Sequence, residues 1–554
     1  MAFVLGLLLA IVSYGSPVNY EISLAGNFGE PRPNHFHGGI DVKTGGVEGK
    51  PLFSIGDGYV SAVTIGVGGF GNAVYVRHPE GYTSVYCHLR KFTPQITAMV
   101  RKWQYANRRW SGEIRFRPTD LPVSRGQLIA ISGNTGSSQA PHLHLEIHDT
   151  RTWNMLDPLD FVGDKMNDNL APMAHGFMAY PVQDEGVFCN SSSKQTYGFG
   201  SRNLTQKFTA WGKVGFGIWA NDYMEITYNR YGVRKTELLV DDSLVFRSDV
   251  NNIPVNMNMQ VNAWGDYDHL LRSNVWYMRS FILPGVTLPV LWGDANRGVI
   301  DFNQEREYHI TYLLTDYKGN QSKYTFVVTG QKNASVRGRR YPTSQMLRMR
   351  AFPNRRQCLQ LPDLELVVAP SSLAEDASLQ PKATNGSLSA CYTLTPKSFQ
   401  LFNYGKIKLR LRKDVPDKSK LYIVSHFGTD RYMGGTYSNG WVTGRIRELG
   451  ASYEIAYDDT PPQVAVSLNP TSGTLTASIT DTESGIKSYE AFIDDQFVLF
   501  GDASKAKTLR PNAQSLICKL QETPIRKLGR ERRFTFVARD NRNNVRIIKK
   551  NFTY

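Results

Sequence analysis

Apolar and polar positions alternate with a period of two through much of this chain, and that alternation predicts strands. In the run Ala140-Pro141-His142-Leu143-His144-Leu145-Glu146-Ile147, Leu143, Leu145 and Ile147 fall on one face, predicted buried. His142 and His144 fall on the other, predicted exposed. Upstream, residues 73–78 and 82–89 read as two strands joined through Pro79-Glu80-Gly81, a connection of hairpin length. Residues 126–131 add a strand, and the turn Gly133-Asn134-Thr135-Gly136 leads from it into the His142 strand. The period changes at 97–107, where Met99, Trp103 and Ala106 recur at helical spacing before a strand-like 112–117.

Beyond about residue 165 the pattern is that of β-sandwiches, and two stretches share it. Residues 236–246 precede 308–320, and 488–498 precede 533–544. Each has alternating strands, an Asp-Asp turn, and a closing Asp-x-x-x-Asn turn, Asp316 to Asn320 and Asp540 to Asn544. The Asp-rich turns are compatible with calcium, but turn chemistry alone accounts for them. Tyr457-Asp458-Asp459-Thr460-Pro461-Pro462 reads as a joint, because consecutive prolines stiffen the chain and break strands.

At 554 residues the chain is too long for one core. The pattern divides it into a leader (1–15), a first domain (16–165) with an insertion at 91–125, a β-sandwich (166–331), a basic linker (332–356), a β-rich module (357–455) and a final β-sandwich (456–554). The net charge of +15 is dispersed. Its sharpest cluster, residues 332–356, holds eight Lys/Arg and no acid. No helix-turn-helix, zinc finger or aromatic single-strand platform accompanies it, which argues against nucleic acid. A solvated linker or an anionic envelope partner fits better. Residues 91–125 carry eight Lys/Arg against two acids. They read either as a basic wall of a substrate groove or as a charged lid packed by Trp103 and Trp110, and both readings restrict access to the site.

The apolar run of residues 3–12 has the length of a signal-peptide core and is too short to span a bilayer; Ser13 and Gly15 offer small residues for cleavage. The basic stretch expected before it is missing, as it would be if the true start lay upstream. No later segment predicts a membrane span. The expected location is therefore exported, periplasmic or envelope-associated. Cys87 reads as a buried free thiol, and any disulfides among Cys189, Cys358, Cys391 and Cys518 are undetermined.

The candidate chemistry lies in the first domain. Two imidazoles side by side on a strand, His142 and His144, either bind one metal together or divide metal binding from proton chemistry. His37 and Asp41 in Asn34-His35-Phe36-His37-Gly38-Gly39-Ile40-Asp41 add another nitrogen and an oxygen. Two nitrogens and one oxygen with an open fourth position match a catalytic zinc site, whereas calcium calls for more carboxylates. Gly38-Gly39 permits backbone conformations that an approach to a metal needs. His35 reads as a solvated loop histidine beside Pro31 and Pro33.

The order His37-x-x-x-Asp41, Tyr86-Cys87-His88-Leu89, Gly133-Asn134-Thr135-Gly136, Pro141-His142-Leu143-His144 resembles the lysostaphin/LytM-type zinc metallopeptidases, with Asp57-Gly58-Tyr59-Val60 similar to a strand entry of that family. The resemblance covers roughly residues 20–160, and the insertion departs from it. It implies a mainly β fold: a compact antiparallel-β, barrel-sandwich-like peptidase domain built on a duplicated hybrid motif, followed by β-sandwich modules that resemble immunoglobulin-like modules of envelope proteins. It also implies one zinc ion on His37, Asp41 and His144, with His88 and His142 as the catalytic pair. No His-Glu-x-x-His stretch supplies a glutamate base, so a histidine is expected to do that work. His142 is the expected base, and His88 either orients the water or stabilises the oxyanion. The activity implied is zinc-dependent endopeptidase action on peptide cross-links of peptidoglycan, with other envelope proteins as partners of the β-modules. A non-catalytic or autoinhibited envelope regulator, or an adhesin-like scaffold, are the alternatives.

Overall fold

A computed structural model describes residues 14–163, 166–338, 349–469, 472–502 and 512–554. The apolar run at 3–12 lies outside these residues, as does the centre of the basic cluster, 339–348. The architecture is mainly β. In the first region the strands are β1 (Leu24–Gly26), β2 (Ile40–Lys43), β3 (Gly58–Ile65), β4 (Ala73–Arg77), β5 (Tyr82–Cys87), β6 (Gly112–Arg115), β7 (Leu128–Ile131) and β8 (His142–Asp149), with helix α1 (Pro94–Asn107) between β5 and β6. An antiparallel sheet runs in the order β1-β2-β8-β5-β4-β3-β6. A smaller sheet pairs β7 with Pro51–Phe53 and Lys91–Phe92.

Register decides what meets what. His144 on β8 lies opposite Asp41 on β2 and opposite Cys87 on β5. Leu143, Leu145 and Ile147 turn into the core, where they join Ile40, Val42 and Tyr86. The opposite face of β8 is not exposed as the alternation suggests. His144, Glu146 and His148 are all buried. Trp153 stacks on His148 and on Tyr75, and Phe70 stacks on His144.

The insertion does not line the cleft over the histidines, while Trp103 and Trp110 pack against the core of the first domain. Helix α1 buries Ile96, Val100 and Gln104 rather than the Met99-Trp103-Ala106 stripe. It docks away from the histidines. Arg101 pairs with Glu522 at 2.7 Å, Tyr105 meets Phe497 edge-on, and Trp110 fills the space over Gly501. Of its positive charges, Arg101 reaches the last β region while Arg115 and Arg117 pair with Glu113 and Asp120 inside the insertion, and none lines that cleft.

Downstream, Met173–Phe188 and Asn203–Asn221 form a long antiparallel pair, and the second also runs parallel to Gln321–Gly330. An aromatic core lies on this sheet, with Phe177 stacked on Phe326 at 4.2 Å. Two five-stranded sheets enclose the next core, and Arg350–Ala351 already pairs with Ala377–Ser378 there, ahead of the expected boundary at 357. Two four-stranded sheets close the chain. All five cysteines are free thiols. No helix among the described residues is long and apolar enough to cross a membrane.

Candidate active site

Three side chains meet where β2 and β8 run side by side. His37 Nε2 lies 2.9 Å from Asp41 Oδ1 and 2.9 Å from His144 Nδ1, and His144 Nδ1 lies 2.8 Å from Asp41 Oδ1. The outer partners fix which atoms face inward. His37 Nδ1 is 2.6 Å from the carbonyl of Asn27, which only accepts, so His37 donates there and turns the Nε2 lone pair inward. His144 likewise donates from Nε2 to Glu146 Oε1 at 2.9 Å, and Glu146 Oε2 accepts from His148 Nε2 at 2.7 Å. Arg32 holds the second oxygen of Asp41 at 2.9 Å.

Three electron-rich atoms therefore converge, and a positive charge must sit among them. Without a cation it is a proton on His144. Burial opposes that proton, yet hydrogen bonds to Asp41 and Glu146 outweigh burial and lift the imidazole to about 9. His37 stays neutral, pushed by burial down to about 4 against the pull of Asp41. Burial would raise Asp41, but the imidazoles of His37, His142 and His144 that face it hold it well below the usual carboxylate range. Two neutral ring nitrogens and one carboxylate oxygen form the donor set of a borderline cation such as zinc.

Two more histidines border this cluster. His142 donates from Nδ1 to the carbonyl of Ala140 at 2.8 Å, and its Nε2 faces Asp41 Oδ1 at 3.2 Å. His88 donates from Nδ1 to the carbonyl of Thr135 at 2.8 Å, and its ring centre is 4.8 Å from that of His142. Strand β5 stops at Cys87, and His88 takes a left-handed φ of 61°, which swings its ring onto the face shared by His144. Tyr86 consequently points the other way. Its hydroxyl accepts from the backbone N–H of Ile55 inside the core, so it is no donor to the site. Burial, reinforced by His144 and His142, pushes His88 down to about 3.

The glycines work through space rather than conformation. Neither Gly38 nor Gly39 has a positive φ. A Cβ on Gly39 would collide with the carbonyl of Leu145, and one on Gly38 would meet Glu146 Oε1 at 2.5 Å. Gly136, at φ 73°, lets its turn press against Gly71 and present the Thr135 carbonyl to His88. His35 is exposed, with Nδ1 3.0 Å from the carbonyl of Pro33.

The cleft over these residues holds about 340 Å³ and is lined by His37, His88, His144, Phe70, Trp153 and Arg32, among others. No residue of 91–125 lines it; Val255 and Asn258 do. Asn258 Oδ1 accepts from Phe36 N at 2.6 Å, Asn262 bonds Asn34 at 3.0 Å, and Trp264 packs on Phe36. One wall of the cleft therefore comes from Val255–Gln260 of the following region, with Val261–Trp264 packed behind it on the 34–36 loop. Asn27, which orients His37, is itself held by Gly232 through paired 2.8 Å bonds.

Known proteins resemble this chain over the same stretch. A family model described as peptidase family M23 matches residues 35–105, and another, described as a Zu5-like domain, matches 349–458. Lipoprotein NlpD of Yersinia enterocolitica is 30% identical over 102 residues, which cover 18% of this chain and 80% of that protein. The chain belongs to peptidase family M23. Within this M23 chain, 138 residues (24% of its length) are 33% identical to the peptidoglycan DD-endopeptidase ShyA of Vibrio cholerae, covering 26% of that protein. The matched stretch spans only 18% to 26% of the length of the first curated relatives. Among solved structures, the catalytic domain of lysostaphin from Staphylococcus simulans is 23% identical, over 26% of this chain and 92% of that one, with a TM-score of 0.19.

Proposed function

We propose that this chain is an exported zinc metalloendopeptidase that hydrolyses peptide cross-links or stem peptides of bacterial peptidoglycan. The observation that carries the reading is the convergence of His37 Nε2, Asp41 Oδ1 and His144 Nδ1 with His142 Nε2 beside them. Family membership and the endopeptidase among its relatives support it. His37, Asp41 and His144 hold the metal. When bound, zinc supplies Lewis acidity that polarises a peptide carbonyl and makes water easier to deprotonate.

The other residues do the rest of the work. The Nδ1–H of His142 is committed to Ala140, so its Nε2, 3.2 Å from Asp41 Oδ1, is the atom that takes the proton from water and returns it to the leaving amine. The Nδ1–H of His88 is committed to Thr135, which leaves an acceptor at Nε2. That favours orienting the water over donating to an oxyanion. Glu146 fixes the tautomer and angle of His144, and Arg32 does the same for Asp41. Trp153, Phe70, Val255 and Asn258 shape the cleft.

The test is digestion of purified peptidoglycan, with new amino ends identified by mass spectrometry. Cleavage should disappear on chelation and return with zinc. Zinc-loaded protein that yields no new amino ends overturns the reading. A second reading, an autoinhibited enzyme, is favoured by the hydrogen bonds that seat Asn258 and Asn262 on the 34–36 loop. It predicts cleavage only after that contact is loosened.

A further inference from the structure

The two regions that share an Asp-Asp turn and an Asp-x-x-x-Asn turn also share a cluster of buried carboxylates. In the first, Asp168 lies on the connection before Met173–Phe188, Asp222 follows Asn203–Asn221, and Asp316 follows Glu307–Thr315. In the second, Asp458 lies on the connection before Gln463–Asn469, Asp481 follows Thr474–Thr480, and Asp540 ends Glu531–Asp540. Each trio brings three carboxylate oxygens within 4.8 Å of one another. The surroundings repeat as well. Asp316 Oδ1 accepts from Asn320 N, and Asp540 Oδ1 from Asn544 N, both at 2.9 Å. The Asn320 amide donates to the Asp168 carbonyl at 3.0 Å, and that of Asn544 to the Asp458 carbonyl at 2.9 Å.

These turns explain some of the carboxylate oxygens but not all. Asp168 Oδ2, Asp222 Oδ1 and Asp540 Oδ2 are buried with no hydrogen-bond partner, on side chains from residues only 5%, 2% and 0% exposed. Among the described residues none of the six aspartates makes an ion pair. Three carboxylates packed together out of water repel one another, and an unpaired buried charge is among the costliest groups a fold can hold. Burial and the neighbouring aspartates push Asp222 up to about 8 and Asp168 up to about 6. An oxygen-only donor set with no imidazole or thiolate selects a hard cation, and calcium accepts the irregular, carbonyl-rich coordination that magnesium resists.

We propose that Asp168, Asp222 and Asp316 bind one calcium ion, and that Asp458, Asp481 and Asp540 bind a second. Each ion ties the incoming connection to two loops at the near end of the next β region. Both joints carry a further tie from the same turn. Lys318 donates to the carbonyl of Gly163 at 3.1 Å, and Arg542 donates to the carbonyls of Leu421 and Gly435 and to the hydroxyl of Tyr432. The ions therefore stiffen the chain where one region meets the next, with an affinity of roughly 0.1–1 mM if they behave as other extracellular calcium modules do.

The experiment is equilibrium dialysis of the full chain against radioactive calcium, with zinc held constant and magnesium in excess. Two calcium ions per chain are expected in the wild type, one in Asp316→Asn, one in Asp540→Asn, and none in the double variant, with zinc content unchanged throughout. Melting gives a readout that does not depend on those variants folding well. Without calcium, Asp222→Asn should melt at or above the wild type when the pH is held above 8, where the third carboxylate of the trio would otherwise be charged. With calcium the order should reverse. A wild type that binds no calcium in excess magnesium, or a double variant that binds as much as the wild type, overturns the proposal. So does an Asp222→Asn protein that melts above the wild type in both conditions.

Discussion

His142 and His144 stand two residues apart on one strand, and their partners divide them. His144 is fixed by Glu146 behind it, while His142 is fixed by a backbone carbonyl and turns its other nitrogen toward Asp41 at the mouth of the cluster. Glu146 is thus the group on which metal affinity should depend without being a ligand. Glu146→Gln keeps the shape but loses the charge that accepts from both His144 and His148, and zinc affinity should fall about 10–100-fold in competition with a chelator. Unchanged affinity would mean that His144 orients itself. His37, Asp41, His88, His142 and His144 were all visible in the sequence because their spacings follow a recurrent order. Glu146 and His148 were also visible, at i+2 and i+4 from His144 on one strand face, but an expected exposed face gave no reason to look for buried partners. Arg32 and the Asn27 carbonyl carry no such signal. A backbone acceptor is invisible in a side-chain pattern.

At the scale of elements, β8 is held by its apolar side. Leu143, Leu145 and Ile147 are wholly buried beneath the functional face. Leu145→Ala should cost about 2–5 kcal/mol of unfolding free energy, read as a lower denaturant midpoint, since the strand cannot collapse into the space left between neighbours on both edges. A loss below 1 kcal/mol would show that the core is not packed as described. Strand alternation was legible here because one face is uniformly apolar. It failed at the end of β5, where the left-handed φ of His88 reverses the side on which its ring lies. It also failed for α1, whose buried stripe includes Gln104, a polar residue whose amide donates to the Trp110 carbonyl at 2.8 Å and so escapes a hydrophobic count.

Across the whole molecule, the cleft is not the property of one region. Val255 and Asn258 wall it, and Asn27 couples His37 to Gly232. A bulky cross-linked polymer should therefore feel the wall more than a short peptide does. Loosening it with Asn258→Ala and Asn262→Ala should raise the rate on intact peptidoglycan relative to a soluble stem peptide, measured as the ratio of kcat/KM values. An unmoved ratio would show that the segment only packs. The sequence could not reveal this wall, because it brings residues more than two hundred positions apart into contact. The insertion at 91–125 misled for the same reason. Its charges suggested a groove, while its partners, Phe497, Gly501 and Glu522, lie some four hundred residues away.

On the proposed reading, one strand carries both the metal ligand and the proton carrier. Zinc content and peptidoglycan digestion, both measured on the same preparations of wild type, His144→Ala and His142→Ala, separate the two roles. His144→Ala should lose both zinc and activity. His142→Ala should keep its zinc and lose activity by about 10²–10⁴-fold. Wild-type digestion by both variants, or loss of zinc from His142→Ala, would contradict this division of roles.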